Sequence, residues 1–388
     1  MRKTVIFAFA LLVFNYVVIA QQASGYGSNN ELQTLCRKLG TDNLLVGLGE
    51  STHGTREFTL IRTEMVKCLV LDHKYRLFVL EADYMPCTRI NEYLATGVGN
   101  PAALLLSLRL WPWIHTDFMN LLLWLREYNL SHPDSMVEFA GMDSQYGAIY
   151  APRDTVFAQY PEEAQEVYGI ADSGGPLNQK IEALRNLIKK ASAGGTTVDV
   201  RLHYYICCLI NRLAKSSAGK YDVRDENMAE FFQSLRSSKG ATVKAIIWAH
   251  NGHISKQGAS LNERTAFGSY LAKKYGKDYA AIGQDFKEGE FLAVDFENVK
   301  ERKISTFTLF PTKETLAAGL EFSDKNLIVL NCKQIGRQHI NAIGAIYVRK
   351  PEKRNSLYSA IRNDNEFDYL IVSAVSTPVT LLEGYLSK

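Results

Sequence analysis

The sequence predicts an α/β protein: a mostly parallel central sheet flanked by helices, with a helical insertion that forms a lid over the carboxyl ends of the strands. Short apolar, β-branched runs alternate with longer stretches of helical period, which is the pattern of a parallel sheet covered by helices. The interruption of this alternation by helical segments alone predicts the insertion. The strand candidates are residues 44–49, 77–81, 137–142, 243–249, 279–283, 327–331 and 369–373.

Helical period follows the first strand and recurs later. Apolar residues repeat every three or four positions over 55–72, which predicts a helix lying on the sheet, and residues 117–128 predict a second helix. The insertion spans about 155–238 and contains three helical pieces joined by glycine- and serine-rich turns. Alternation over 290–296 predicts a separate half-exposed strand, with Phe291 and Ala293 facing outward, that forms a β-hairpin after strand five.

The first twenty residues differ from the rest of the chain. Two bases, Arg2 and Lys3, precede an apolar run that ends at Ala20, which is typical of a secretory signal peptide. An uncleaved membrane anchor is the alternative, because the run approaches the roughly 20 residues that span a bilayer. We expect a secreted or periplasmic mature protein, residues 21–388, that forms one domain without stable membrane insertion.

Composition excludes some partners. The chain has 388 residues, of which 46% are hydrophobic and 22% charged, as in ordinary globular proteins. Its net charge is +3, of which Arg2 and Lys3 supply two units. A nearly neutral mature chain argues against a nucleic-acid partner.

Six cysteines occur in a chain that is expected to enter an oxidising compartment. Their spacing predicts neither a disulfide framework nor a metal knuckle. The adjacent Cys207 and Cys208 fall in an apolar helical stretch, which favours buried thiols over a redox pair.

Ionisable side chains follow several predicted strands. Ligands of open parallel sheets bind outside the carboxyl ends of the strands, so we expect these groups to converge on one cleft. A single carboxylate at this position is also commonly a helix N-cap, and for Asp143 that reading stays open. The converging groups are Glu50, His53, Glu81, Asp143, His250 and His253.

Several familiar site patterns are missing from the sequence. There is no HExxH zinc-protease motif, no GxSxG nucleophile elbow and no glycine-rich phosphate loop. An imidazole beside a carboxylate can instead take a proton from water, and Arg62 is spaced to lie on the first helix.

These residues, in this order, resemble the erythromycin esterase family over about residues 31–388. The resemblance implies an α/β sheet with a helical insertion, and hydrolysis of a macrolide lactone ester without a metal or other cofactor. It also implies that His53 is the general base and that Glu50, Arg62, Glu81, His250 and His253 surround the carbonyl. The motifs that carry the resemblance are GLGESTHG (47–54) with Glu57, Phe58 and Arg62, FVLE (78–81), INEY (90–93), WLREYN (124–129), FAGMD (139–143) and WAHNGH (248–253).

The leading hypothesis is therefore a hydrolase of an ester or lactone, a small-molecule substrate of macrolide type. His53 deprotonates water with the help of Glu50, while Glu81 orients one of the cationic groups. Arg62, His250 and His253 polarise the carbonyl. Further predicted substrate contacts are Arg56, Glu57, His115, Asp117, Asp143 and Asp285, although His115 and Asp117 also fit aromatic packing at a helix start.

Two rival hypotheses use the same cleft. The three histidines and the carboxylates could hold a catalytic metal ion with an open position, which would make the protein a metal-dependent hydrolase. The cleft could also serve a binding protein for a haem or an envelope component, without catalysis.

Overall fold

A computed structural model describes residues 26, 29–150, 159–193, 199–215, 223–257, 265–301, 303–311, 315–323, 326–336, 338–348, 358–361 and 366–385. The predicted signal peptide lies outside the described residues and stays a prediction, as does the single-domain assignment. No helix among the described residues is long and apolar enough to cross a bilayer.

The central sheet is mostly parallel, as predicted. Its strands follow the order β3-β2-β4-β1-β5-β11-β7, and within this path only β7 runs antiparallel to its neighbour. All seven strand candidates are present: 327–331 has the predicted ends, and the other six are shifted at one or both ends. The strands are β1 (Leu45–Leu48), β2 (Leu77–Asp83), β3 (Glu138–Asp143), β4 (Ala245–Trp248), β5 (Tyr279–Asp295), β6 (Ile304–Leu309), β7 (Leu327–Asn331), β8 (Gln338–Asn341), β9 (Ile346–Tyr347), β10 (Tyr358–Ile361) and β11 (Tyr369–Ser376).

Strand β5 corrects the predicted hairpin. The chain does not break before Glu290, because β5 continues through Gly289 to Asp295 and then pairs antiparallel with β6. Gly289 has φ +129°, and a Cβ there would meet the Ser376 backbone at 2.2 Å, so glycine lets the strand bend beside β11. The predicted alternation was also wrong in phase, since Phe291 is fully buried against Phe286 and Tyr347.

Helices form a layer on each face of the sheet. The helix after β1 illustrates why: its apolar residues Phe58, Ile61, Met65 and Leu69 form one buried stripe, and Lys74 in a left-handed conformation ends it. The helices are α1 (Asn30–Asp42), α2 (Arg56–His73), α3 (Tyr84–Thr96), α4 (Pro101–Ser107), α5 (Thr116–Ser131), α6 (Gly147–Tyr150), α7 (Pro161–Asp172), α8 (Leu177–Ala193), α9 (Val200–Lys215), α10 (Arg224–Lys239), α11 (Asn251–Ile254) and α12 (Phe267–Tyr275).

Helices α1 to α5 share one buried core with the sheet, and α7 to α10 with α12 share the core of the other face. The insertion therefore packs on a face of the sheet. It reaches the strand ends where Tyr204 of α9 donates to Asp83, the last residue of β2, and where Asn211 binds Ser144 after β3. Its role as a lid stays a prediction.

One disulfide corrects the expectation from cysteine spacing. Cys36 of α1 is bonded to Cys68 of α2, so the two helices are covalently joined on one face of the sheet. Cys207 and Cys208 are free and buried, as predicted.

Candidate active site

A buried carboxylate, Glu50, lies at the centre of the site directly after β1. Its Oε1 is 2.7 Å from His53 Nδ1, and its Oε2 accepts a hydrogen bond from Arg62 of α2. Glu50 and Arg62 are each 1% exposed, whereas His53 is 9% exposed. Among the described residues, none forms a hydrogen bond with His53 Nε2, so this nitrogen is the ring atom left for a ligand.

Charge compensation keeps Glu50 ionised. Burial alone would raise its pKa, but Arg62 and His53 outweigh burial and lower the pKa of Glu50. The Arg62 guanidinium also lies over the Trp248 ring at 3.9 Å and donates to the Phe58 carbonyl. Arg62 is thus held from three sides behind the His53 ring.

The loop that carries His53 is tied down by distant segments. The Ser51 carbonyl accepts from Ile343 N, and His53 N donates to the Gly344 carbonyl. Gly54 lies so close to β5 that a Cβ would meet the Leu292 carbonyl at 2.0 Å, which requires glycine. The segment after β11 also holds this loop, since Val379 N donates a hydrogen bond to the Gly54 carbonyl.

His250 faces His53 from β4, with 5.3 Å between their ring centroids. Its backbone N–H donates to Glu81 Oε2, which places this loop against β2. His250 Nδ1 accepts from Gly252 N and its Nε2 lies 3.3 Å from the Ser51 carbonyl, so the proton resides on Nε2. Burial lowers the pKa of His250 to about 4, and the ring is therefore neutral.

His253 has the opposite charge state. Its Nδ1 lies 2.7 Å from Asp225 and its Nε2 lies 3.2 Å from Glu81. Burial opposes charge on this ring, but the two carboxylates outweigh burial and raise the pKa of His253 to about 10. His253 is therefore an imidazolium at neutral pH, enclosed by two acids.

Arg224 is a site residue that the sequence did not reveal. It begins α10 of the insertion and binds Glu81 at 2.7 Å and Asp143 at 2.6 Å, while its Nη1 lies 2.9 Å from His253 Nε2. The two acids raise its pKa further despite burial. The only sequence signal is the pair Arg224-Asp225 at the start of a predicted helix, which ordinarily indicates a solvated first turn.

Asp83 is a second residue that the sequence did not reveal. It accepts hydrogen bonds from Tyr204 and from Tyr146 N, and it is 1% exposed. Burial and the neighbouring Asp143 raise the pKa of Asp83 to about 7. The insertion thus meets the sheet through one carboxyl group that is readily protonated and one, Asp143, that binds Arg224.

The other predicted substrate contacts occupy two kinds of position. Arg56 has an exposed side chain and pairs with Asp117 at 3.1 Å. Glu57 accepts from the Thr377 N–H and hydroxyl, each at 2.7 Å, and so holds the chain after β11. These three residues lie at the amino ends of α2 and α5.

The side chains of His115 and Asp285 are buried too deeply for direct contact with a substrate. His115 caps α5 by accepting from Phe118 N, and burial lowers its pKa to about 3. Asp285 is 0% exposed and binds Asn341, and burial raises its pKa to about 7. Both side chains support the site from behind its surface.

The predicted metal ligands are arranged as pairs. Each of His53 and His253 has a carboxylate partner, and His250 satisfies both nitrogens with backbone groups. Within the described ranges, the ligand atoms of only one His/Cys/Asp/Glu trio lie within 4.8 Å of one another. That trio is Cys36, Cys68 and His73, whose two cysteines form the disulfide.

Comparisons with known sequences point to one family. A family model described as erythromycin esterase matches residues 70–375, a range that begins after Glu50, His53 and Arg62 and includes Glu81, His250 and His253. Erythromycin esterase type II of Escherichia coli is 26% identical over 307 residues, covering 66% of this chain and 72% of its own. Erythromycin esterase type I of Escherichia coli is 23% identical over 286 residues, covering 61% and 68%.

Comparisons with solved structures support the fold. A succinoglycan biosynthesis protein superposes with a TM-score of 0.69 at 19% identity, covering 92% of this chain and 94% of its own. An erythromycin esterase variant in its open conformation superposes with a TM-score of 0.64 at 17% identity, covering 89% and 94%. At these identities the likeness concerns the fold alone.

Proposed function

Because this chain belongs to the erythromycin esterase family, we propose that it is a hydrolase that cleaves an ester or lactone of macrolide type with water activated by His53, without a metal ion. The observation that carries the proposal is the buried Glu50–His53 pair, 2.7 Å apart, with the His250 ring centroid 5.3 Å from that of His53. This arrangement has the geometry of a general base with its orienting acid.

Proton transfer begins at His53. Glu50 holds the proton of neutral His53 on Nδ1, which leaves the Nε2 lone pair for a water molecule. When Nε2 takes a proton from that water, the resulting hydroxide attacks the ester carbonyl carbon. The carboxylate of Glu50 stabilises the imidazolium that forms, and the tetrahedral intermediate collapses as the imidazolium returns its proton to the leaving oxygen.

Arg62 has a different role from the predicted one. Its guanidinium is 1% exposed and is occupied by Glu50, Trp248 and the Phe58 carbonyl, so it compensates the charge of Glu50 and does not reach a substrate. We assign neutral His250 as the oxyanion donor: its Nε2–H, 3.3 Å from the Ser51 carbonyl, would leave that carbonyl and donate to the developing oxyanion.

A second cluster of charged side chains adjoins the His250 loop through Glu81. Arg224 and protonated His253 face three acids, Glu81, Asp143 and Asp225. Glu81 joins this cluster to the His250 backbone, so it fixes the distance between the cations and the oxyanion donor. We assign Glu81 the predicted orienting role on this basis.

Secretion is part of the same proposal. The first twenty residues have the composition of a signal peptide, and the Cys36–Cys68 disulfide is typical of an oxidising compartment. We therefore assign the mature protein to the periplasm or the extracellular space, where it would meet macrolides before they enter the cytoplasm.

The deciding experiment is mass spectrometry of a panel of macrolides, small lactones and simple esters after incubation with mature protein. A product that is heavier than a lactone by one water, absent with His53→Ala, is the expected result. Intact substrates throughout the panel would overturn the proposed reaction. Tight retention of an unaltered ligand would instead identify a binding protein.

A further inference from the structure

Gln284 lies near the proposed orienting carboxylate, Glu50, and its buried side chain has no hydrogen-bond partner among the described residues. It is 1% exposed, and neither Oε1 nor Nε2 forms a hydrogen bond with the described residues. Its backbone is fully used, since Gln284 N and its carbonyl both bind the Asn251 side chain. A carboxamide buried without hydrogen-bond partners destabilises the folded state, so this position calls for an explanation.

Strand register shows which way the Gln284 side chain points. On β5, Ala280 and Ile282 belong to the core on the α2 side of the sheet, and Phe286 packs on Phe58 of α2 at 5.9 Å. Side chains alternate along a strand, so Gln284, between Ile282 and Phe286, faces α2 as well.

Register also places Gln284 across from the segment that carries Glu50. Leu48 of β1 pairs with Ile282 of β5, and Glu50 and Gln284 follow these residues by two positions. The Asn251 side chain replaces backbone pairing at this point, because it binds Gln284 N and the Gln284 carbonyl, while Asn251 N donates to the Glu50 carbonyl. Together with the contact of Ser51 with Asp285, at 3.4 Å, this bridge keeps the two segments near each other, so the Gln284 side chain and the Glu50–Arg62 pair lie on one face of the sheet.

Other unpartnered polar atoms lie on the same face. Arg62 Nη1 has no acceptor among the described residues, although the other guanidinium nitrogens bind Glu50 and the Phe58 carbonyl. Ser373, 0% exposed, follows Ile371, which pairs with Gln284, by two residues on β11, and its hydroxyl also lacks a partner. For hydrogen bonds, Arg62 supplies donors, the Gln284 carboxamide supplies an acceptor and donors, and the Ser373 hydroxyl supplies a donor and an acceptor.

We propose that Gln284 and Arg62 bind an ordered internal water beside Glu50, with Ser373 as a further partner, and that Gln284 is thereby a positioning residue for the Glu50–His53 pair. Internal waters make two to four hydrogen bonds to buried polar groups, which is the number that these atoms provide. The water fixes the one guanidinium nitrogen that no protein group holds. The Arg62 side chain then keeps Glu50 aligned with His53. The kinetic part of this inference rests on the proposed function.

Crystallography of the unmodified protein tests the site without any substrate. We expect one ordered water about 2.7–3.2 Å from both a Gln284 amide atom and Arg62 Nη1. An empty gap between them, a direct Gln284–Arg62 hydrogen bond, or a Gln284 side chain on the other face would overturn the inference. Failure to detect ester hydrolysis would overturn only the proposed function.

Replacement of Gln284 by methionine keeps the length of the side chain and removes its polar atoms. We expect the His53 Nδ1–H resonance, observed by NMR and assigned with His53→Ala, to move downfield as its hydrogen bond to Glu50 strengthens. The reason is that a loosened Arg62 neutralises Glu50 less completely. With a hydrolysed substrate in hand, kcat falls about tenfold and KM stays within about twofold.

Ile371→Val is the matched control, because it trims an apolar neighbour in the same row and leaves every polar atom in place. A role in packing alone predicts the same His53 Nδ1–H resonance and the same kcat for both variants as for the unmodified protein. A Gln284→Met protein with an unmoved His53 Nδ1–H resonance would therefore overturn the positioning role even if its stability changed.

Discussion

The Glu50 carboxylate binds His53 through one oxygen and Arg62 through the other, so a single buried acid links the proposed base to helix α2. Glu50 and Arg62 are 12 residues apart in the sequence, and their ion pair joins the loop after β1 to helix α2. Because Glu50 and Arg62 are both 1% exposed, the pair of charges is shielded from solvent and is fixed by the fold itself. The orientation of His53 is therefore set before any substrate binds.

His53→Ala should lower kcat at least about a hundredfold on whichever ester or lactone the protein hydrolyses, since a general base contributes at least that much. The thermal midpoint should change little, because His53 has one side-chain partner. His339→Ala, which alters an exposed histidine on β8, is the control and should keep full activity. Normal turnover by the His53 variant would disprove the assignment.

Arg224→Lys should lower kcat/KM at least about tenfold although the charge is kept. A lysine ammonium is a point charge and cannot bridge Glu81 and Asp143 as the guanidinium does. Steady-state kinetics of this variant should be compared with those of Arg212→Lys, whose arginine is exposed on helix α9. Equal kinetics for the two variants would remove Arg224 from the site.

Asp225→Asn should destabilise the protein most between about pH 5 and pH 6.5. The folded pKa of His253 is raised to about 10, so its contribution is complete below the unfolded value of about 6.5 and is lost as pH rises toward 10. At the acid end the contribution of Asp225 is lost, because its own pKa is lowered in the folded state. Urea unfolding of both proteins from pH 4 to 10 measures the difference, and a difference that grows from pH 6.5 to 10 would contradict this charge assignment.

Cys68→Ala should lower the free energy of unfolding by roughly 4 kcal/mol, the chain-entropy expectation for a cross-link spanning 32 residues. Mass spectrometry of the unmodified protein should show one disulfide among the six cysteines, and reduction should give the same loss of stability. Cys332→Ala, which alters a buried cysteine outside the disulfide, separates loss of the cross-link from loss of packing. Two free thiols at Cys36 and Cys68 in purified mature protein would contradict the bond.

Chelation should leave the hydrolytic rate unchanged. The histidines are committed to carboxylates and backbone groups in pairs, and a catalytic zinc needs three protein ligands converging on one point. Activity before and after dialysis against a strong chelator, with elemental analysis of the same samples, checks this expectation. A rate that falls on chelation and returns with one divalent ion would instead establish the metal-dependent hydrolase.

The strands and the edge of the sheet that carries the site could be predicted from the sequence. Apolar runs followed by ionisable residues such as Glu50, Glu81 and His250 indicate the carboxyl ends of parallel strands, where ligands bind. The contribution of Arg224 could not be predicted, since helical period shows which face of α10 is apolar but not where its first turn lies. The Cys36–Cys68 bond was missed for the same reason. Both cysteines lie on helices whose mutual packing is a tertiary property. The prediction for β5 failed because Gly289 in a strand marks a bend as readily as a turn.

The segment after β11 closes over the His53 loop and the start of α5: Arg56 N donates to the Thr377 carbonyl, and Leu382 N donates to the Ile114 carbonyl. Residues near opposite ends of the polypeptide are thus adjacent in the finished molecule. During synthesis the Glu50 loop leaves the ribosome long before the segment after β11 that holds it. A nascent chain halted before Thr377 would therefore lack this support of the His53 loop, although Ile343 and Gly344 would already hold it, and the candidate site is complete only after the segment that follows β11 has been released.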